Sequence, residues 1–95
     1  MSGFKLNIKQ ISSILVVKFD IEYEEETYQI QAQHNSDDEY VLITESNYYF
    51  SPTYVKTENK KLNQKELENF VLDWLITDEG SKRLHSAKMI RKFKG

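Results

Sequence analysis

The stretch LVVKFDIEYEEETYQIQAQ, residues 15–33, decides the fold. Leu15, Val17, Phe19, Ile21 and Tyr23 fall on one side of an alternating run, with Lys18, Asp20 and Glu22 on the other. A second run sets Tyr28, Ile30 and Ala32 against Thr27, Gln29, Gln31 and Gln33. Period-two alternation marks strands with one buried face. Folding the two runs about Glu24-Glu25 places Ile21 opposite Tyr28, Phe19 opposite Ile30 and Val17 opposite Ala32. Asp20 and Lys18 then meet Gln29 and Gln31 on the other face. A slip of one residue would send every apolar side chain outward, so the agreement of both runs predicts a hairpin in this register. Glu-Glu lacks the preference for positive φ that a two-residue turn needs, and a wider loop of the same parity is expected.

On the N-terminal side, Phe4, Leu6 and Ile8 alternate with Lys5, Asn7 and Lys9, which predicts a further strand before Ser12-Ser13. On the C-terminal side, Asn35-Ser36-Asp37-Asp38 signals a polar turn. The run Tyr40–Thr44 follows, with Val41 and Ile43 expected opposite Ala32 and Ile30. Asn47 marks another turn, Tyr48-Tyr49-Phe50 reads as a short fifth strand, and Pro52 is expected to end it. Residues 53–61 are polar and read as a loop.

Helical signals begin at Asn63, which with Glu66 forms an Asn-x-x-Glu start, flanked by Leu62 and Leu67 at the spacing of a hydrophobic staple. Leu67, Phe70, Val71, Trp74 and Leu75 make one helical face, which Leu72 and Ile76 widen beyond the needs of a single sheet contact. The wide stripe implies that the helix touches the sheet and something else. Gly80 is placed to end the helix in a left-handed cap. Residues 81–93 read as a second helix with Ala87, Met89, Ile90 and Phe93 inward, and with Lys88, Arg91 and Lys92 on the opposite side beside His85. The predicted fold is one α+β domain over residues 1–95. An antiparallel β-meander of four to five strands fills residues 1–50; one amphipathic helix and a short basic C-terminal helix occupy residues 62–93.

Composition narrows the function classes. The chain has 95 residues, 39% of them hydrophobic, a formal net charge of −2 and no cysteine. That amount of apolar material suits a single core. Disulfide scaffolds, thiolate zinc sites and cysteine nucleophiles are excluded. No apolar run reaches the ~18 residues of a membrane span and no signal-peptide block opens the chain, so a soluble, cytoplasmic domain without a membrane partner is expected. The three glycines, Gly3, Gly80 and Gly95, are too dispersed to compose a phosphate-binding loop.

Catalytic signals are weak. His34 and His85 lie in different halves, and His85 and Ser86, as helical neighbours, point about 100° apart. His34, Asp37, Asp38 and Glu39 sit within six residues but match neither a calcium loop nor a zinc spacing, and read as a solvated turn. Glu24-Glu25-Glu26 reads the same way. No enzyme activity, metal or cofactor is expected.

Binding is the stronger expectation. Residues 1–50 carry nine acids against three lysines, whereas residues 51–95 carry ten basic residues against six acids. The last fifteen residues hold six cations and no acid. Either the halves attract each other within the fold or the basic end meets an anionic partner. A nucleic acid would use Lys82, Arg83, Lys88, Arg91 and Lys92, with Tyr48, Tyr49, Phe50 and Tyr54 as stacking platforms. The sequence pI of about 5.7 argues against a dedicated nucleic-acid binder. A protein partner fits better, because parity places Tyr40, Leu42 and Tyr49 together on the face opposite the core, among neutral polar groups. Long strand edges would also accept a further strand or a second copy. The expected role is that of a small non-catalytic regulator or inhibitor, of a kind that phages and mobile elements employ, with a protein partner first and a nucleic acid as the alternative.

Overall fold

A computed structural model describes residues 14–36, 38–58 and 61–94. Four strands form an antiparallel meander: β1 (Ile14–Tyr23), β2 (Glu26–Asn35), β3 (Tyr40–Glu45) and β4 (Thr53–Lys56), side by side in chain order. Two helices follow, α1 (Gln64–Leu75) and α2 (Asp78–Lys94). The strand expected from Phe4, Leu6 and Ile8 lies outside the described residues.

The β1–β2 register is the one that alternation dictates, from Val17 opposite Ala32 to Ile21 opposite Tyr28. The turn differs from expectation. It is a tight two-residue loop, with Glu24 at φ 48° and Glu25 at φ 72°. Both glutamates therefore adopt the left-handed conformation that glycine and asparagine take more cheaply. Lys88 and Arg91 of α2 pair with Glu24 and Glu26 at this turn.

The β2–β3 register is displaced by two residues from the expected one. Ile43, rather than Val41, stands opposite Ala32; Val41 faces His34, and Glu45 faces Ile30. Parity is kept, so Val41 and Ile43 still point inward. The same parity turns two polar side chains inside. His34 is buried and donates Nε2–H to the Asp38 carbonyl at 3.0 Å, since a carbonyl can only accept. Glu45 is also buried, and its Oε1 accepts the backbone N–H groups of Asn47 and Tyr49, each at 2.9 Å.

Those two bonds explain why Tyr48-Tyr49-Phe50 is no strand. The Glu45 carboxylate takes N–H groups that a ladder would need, Tyr48 turns at φ 56°, and Phe50 drops into the core. The fourth strand forms after Pro52 instead, over Thr53–Lys56 where a loop was expected. Proline is compatible with the approach to a strand, where its missing donor removes no ladder bond.

α1 begins as its sequence signal requires. The Asn63 side chain accepts the Glu66 N–H at 2.8 Å, and the Glu66 carboxylate accepts the Asn63 N–H at 2.9 Å. Leu67, Val71, Trp74 and Leu75 are buried in one cluster with Tyr28, Ile30, Ala32, Val41 and Ile43, which fixes the helices on a single face of the sheet. Leu72 and Ile76 remain exposed rather than meeting a second layer.

Gly80 does not cap α1. It sits in the first turn of α2, and no described glycine has positive φ. Thr77 makes the junction: its hydroxyl donates to the Trp74 carbonyl and accepts the Gly80 N–H. The glycine is required by proximity, because a Cβ there would lie 2.1 Å from the Trp74 carbonyl oxygen and 2.7 Å from Leu75 Cα.

The orientation of α2 is the largest departure from expectation. Leu84 and Ala87 are the inward apolar residues. Met89 and Ile90 are partly exposed, and Phe93 is 82% exposed. Lys88 and Arg91, expected on the far side, continue the inward line of Leu84 and Ala87 at i+4 and i+7 and reach the hairpin.

Candidate functional site

Among the described residues, both helices cover one sheet face and no element covers the other, which is here called the open face. Pairing across the strands carries Val16, Gln33, Leu42 and Tyr54 into a single row spanning all four strands on that open face. Ile14 beside Asn35 and Tyr40 beside Lys56 flank the row. Successive rows toward the β1–β2 turn are polar, beginning with Lys18, Gln31 and Thr44. The open face is thus apolar and aromatic at one end only.

Exposure follows the same division. Tyr54 is 68% exposed, Ile14, Val16 and Tyr40 are each about half exposed, and Leu42 is half-buried between its neighbours. Ile14, Gln33, Asn35, Tyr40, Leu42 and Tyr54 enclose a shallow hollow of about 190 Å³, with Asp38 at its rim. The Asp38 carboxylate accepts the Tyr40 N–H at 3.1 Å, which fixes the start of β3 and therefore the position of the Tyr40 ring. The hollow offers aromatic surface, two side-chain amides and one rim carboxylate.

The residues expected to form this surface are divided by the structure. Tyr40 and Leu42 are brought together. Tyr49 is not with them: it lies half-buried against the core on the helix side, its ring centroid 5.9 Å from the Arg91 guanidinium carbon. The assumed strand at residues 48–50 supplied its parity, and that strand does not form. Tyr54 takes the third place. The signal for it was present in Thr53-Tyr54-Val55-Lys56, a short alternation of β-branched, aromatic and polar residues after a proline.

No family model, curated protein or solved structure matches the chain. The chemistry of the surface alone must therefore carry the functional argument.

The five cations expected to meet nucleic acid are also divided. Lys88 Nζ pairs with Glu24 Oε1 at 3.1 Å, and Arg91 Nε pairs with Glu26 Oε2 at 2.8 Å. Arg91 further donates from Nη1 to the Thr27 carbonyl at 2.7 Å and stacks over the Tyr28 ring at 5.0 Å. The acidic hairpin and the basic helix thus meet within the fold. Arg83 lies 3.8 Å from Glu79 one turn away, while Lys82 and Lys92 project into solvent. Around Glu24 the titrations are coupled. The Tyr23 hydroxyl and, secondarily, Lys88 hold the Glu24 carboxyl below its ordinary value of 4.5, and Glu24 in turn raises Lys88 above 10.5.

The histidines do not converge. His34 is enclosed at the β2–β3 turn with a backbone partner, whereas His85 is exposed on α2. Glu24 and Glu25 form the hairpin turn, and Glu26 opens β2. Among the described residues no group of three or more histidine, aspartate or glutamate side chains is placed to hold a metal ion, and no helix is long and apolar enough to cross a membrane.

Proposed function

We propose that the chain is a non-catalytic binding protein that docks a protein partner on the apolar end of its open sheet face and regulates or inhibits it by occupancy. The observation that carries this reading is the row Val16–Gln33–Leu42–Tyr54 with Tyr40 and Ile14 beside it. A cluster of exposed aliphatic and aromatic residues around neutral amides has the make-up of an interface centre, where charge is depleted and tyrosine enriched. Exposed strands also hold these side chains in place, so little order is lost on docking.

A phosphate chain is less well suited. Three of the five cations on the basic helix already have carboxylate partners, Arg83 within its own helix and Lys88 and Arg91 on the hairpin, and those carboxylates would face the same ligand. The nucleic-acid alternative rests on Lys82 and Lys92.

Crosslinking from a photoreactive residue at position 54, compared with one at position 92, separates the two. A partner joined through position 54, and lost in Leu42→Lys without loss of the folded circular-dichroism signal, supports the reading. Crosslinks confined to position 92, or a gel shift with single- or double-stranded DNA that Lys82→Glu/Lys92→Glu removes, would replace it with the nucleic-acid reading.

A further inference from the structure

The sheet's two edges are unlike. β4 is four residues long and follows a proline, so it offers little to an incoming strand. β1 is ten residues long, contains neither proline nor glycine, and pairs with β2 without a bulge. No described strand lies along its other side. The two-residue loop at Glu24-Glu25 closes on the Tyr23/Glu26 pair, and hydrogen-bonded pairs alternate along an antiparallel ladder. Alternation therefore aims the N–H and C=O groups of Val16, Lys18, Asp20 and Glu22 at the free edge.

The core is also incomplete there. Of the five inward side chains of β1, Val17 is buried, whereas Leu15, Phe19, Ile21 and Tyr23 are only partly covered. Beside them runs a groove of about 330 Å³ bounded by Ile21, Tyr23, Leu72, Leu75, Ile76 and Leu84. Leu72 and Ile76 are the residues of α1 that its sheet contact leaves exposed.

We infer that β1 pairs antiparallel with β1 of a second copy of this chain, joining two four-stranded sheets into one of eight strands. The charge pattern selects both the occupant and the register. Centring the two-fold axis on Phe19 puts Lys18 opposite Asp20 of the second copy, twice, on the solvent face. The inner face then matches Val17 with Ile21 and Leu15 with Tyr23, which carries the second copy's Val17 and Leu15 toward the groove. Moving the centre to residue 18 or residue 20 would set Lys18 against Lys18 or Asp20 against Asp20, which like-charge repulsion disfavours. A self-complementary patch of this kind is what a closed two-fold dimer requires.

The test is sedimentation of the full chain over a range of concentrations, with a charge-exchange cycle. A dimer of twice 11.3 kDa is expected. Lys18→Asp and Asp20→Lys should each weaken it about tenfold, because each turns two opposite-charge pairs into like-charge ones. The double variant Lys18→Asp/Asp20→Lys should restore it. Both side chains are solvent-facing, so circular dichroism should show all variants folded. A monomer at every concentration overturns the inference, as does a dimer indifferent to both single substitutions. A monomer whose β1 amides exchange slowly, but quickly once residues 1–13 are removed, would overturn it in favour of the chain's own preceding segment.

Discussion

The two faces of the sheet are written by the same period-two alternation yet are finished differently. On the helix side, Tyr28, Ile30, Ala32, Val41 and Ile43 vanish beneath α1 and α2, and even the polar members of that face, His34 and Glu45, are enclosed with backbone partners. On the open side, Ile14, Val16, Tyr40 and Tyr54 have comparable apolar character but no described helix above them. Apolar side chains therefore serve two purposes here. One set stabilises the fold, and the other is held out by it. The comparison also shows that charge divides in the same way, since Lys88 and Arg91 face inward to the hairpin while Lys82 and Lys92 do not.

That division can be tested by substitution. The largest effect is expected from Ile30→Ala on the covered face, which should cost about 3 kcal/mol in urea denaturation by opening a cavity in a fully buried site. Gly80→Ala comes next, at about 2 kcal/mol, because its methyl group would press on the backbone of α1 rather than on a yielding side chain. Tyr28→Phe sharpens the comparison in the opposite direction. Among the described residues the buried Tyr28 hydroxyl has no hydrogen-bond partner, so its removal should raise stability by about 1 kcal/mol.

A smaller effect concerns pH. The Glu24 carboxyl titrates below its ordinary value, so its contribution is present above about pH 4.5 and fades as pH falls through the depressed folded value. Lys88 titrates above its ordinary value, so its contribution holds below about pH 10.5 and fades as pH rises through the elevated one. Thermal melts of wild type and Glu24→Gln should accordingly differ near neutrality and converge in acid. The smallest change in stability, within about 0.5 kcal/mol, is expected for Tyr54→Ala on the open face. A loss as large as that of Ile30→Ala would mean that Tyr54 belongs to the core and would remove the distinction between the faces.

Much of this architecture is legible in the amino-acid order, for reasons that differ by element. The β1–β2 register is pinned because two alternating runs must agree, and α1 is announced by its Asn63–Glu66 cap and apolar stripe. The β2–β3 register is less constrained, since parity defines a face but not an offset of two residues. Choosing the offset required knowing that His34 and Glu45 would be buried with backbone partners, which their polarity conceals. Tyr54 reads from sequence only as a stacking platform, not as part of this surface, because four alternating residues resemble a loop when they are polar at the ends. The turn of α2 was misjudged because its inward line includes Lys88 and Arg91, whose cationic ends look solvent-bound until the hairpin acids are placed beside them. At the candidate surface, Tyr40 and Leu42 follow from strand parity, whereas Tyr54 and the exclusion of Tyr49 depend on the Glu45 carboxylate reshaping the loop between β3 and β4.

The order of elements has a consequence for biosynthesis. All four strands precede both helices in the chain. A ribosome therefore releases these four strands before α1, and α2 follows α1. Its neighbouring strands can pair early, because their contacts are local in sequence. Until both helices have emerged, however, the Ile30–Ile43 face has no roof. Chaperone occupancy of the nascent chain should peak in that interval and fall once residues 67–87 leave the exit tunnel.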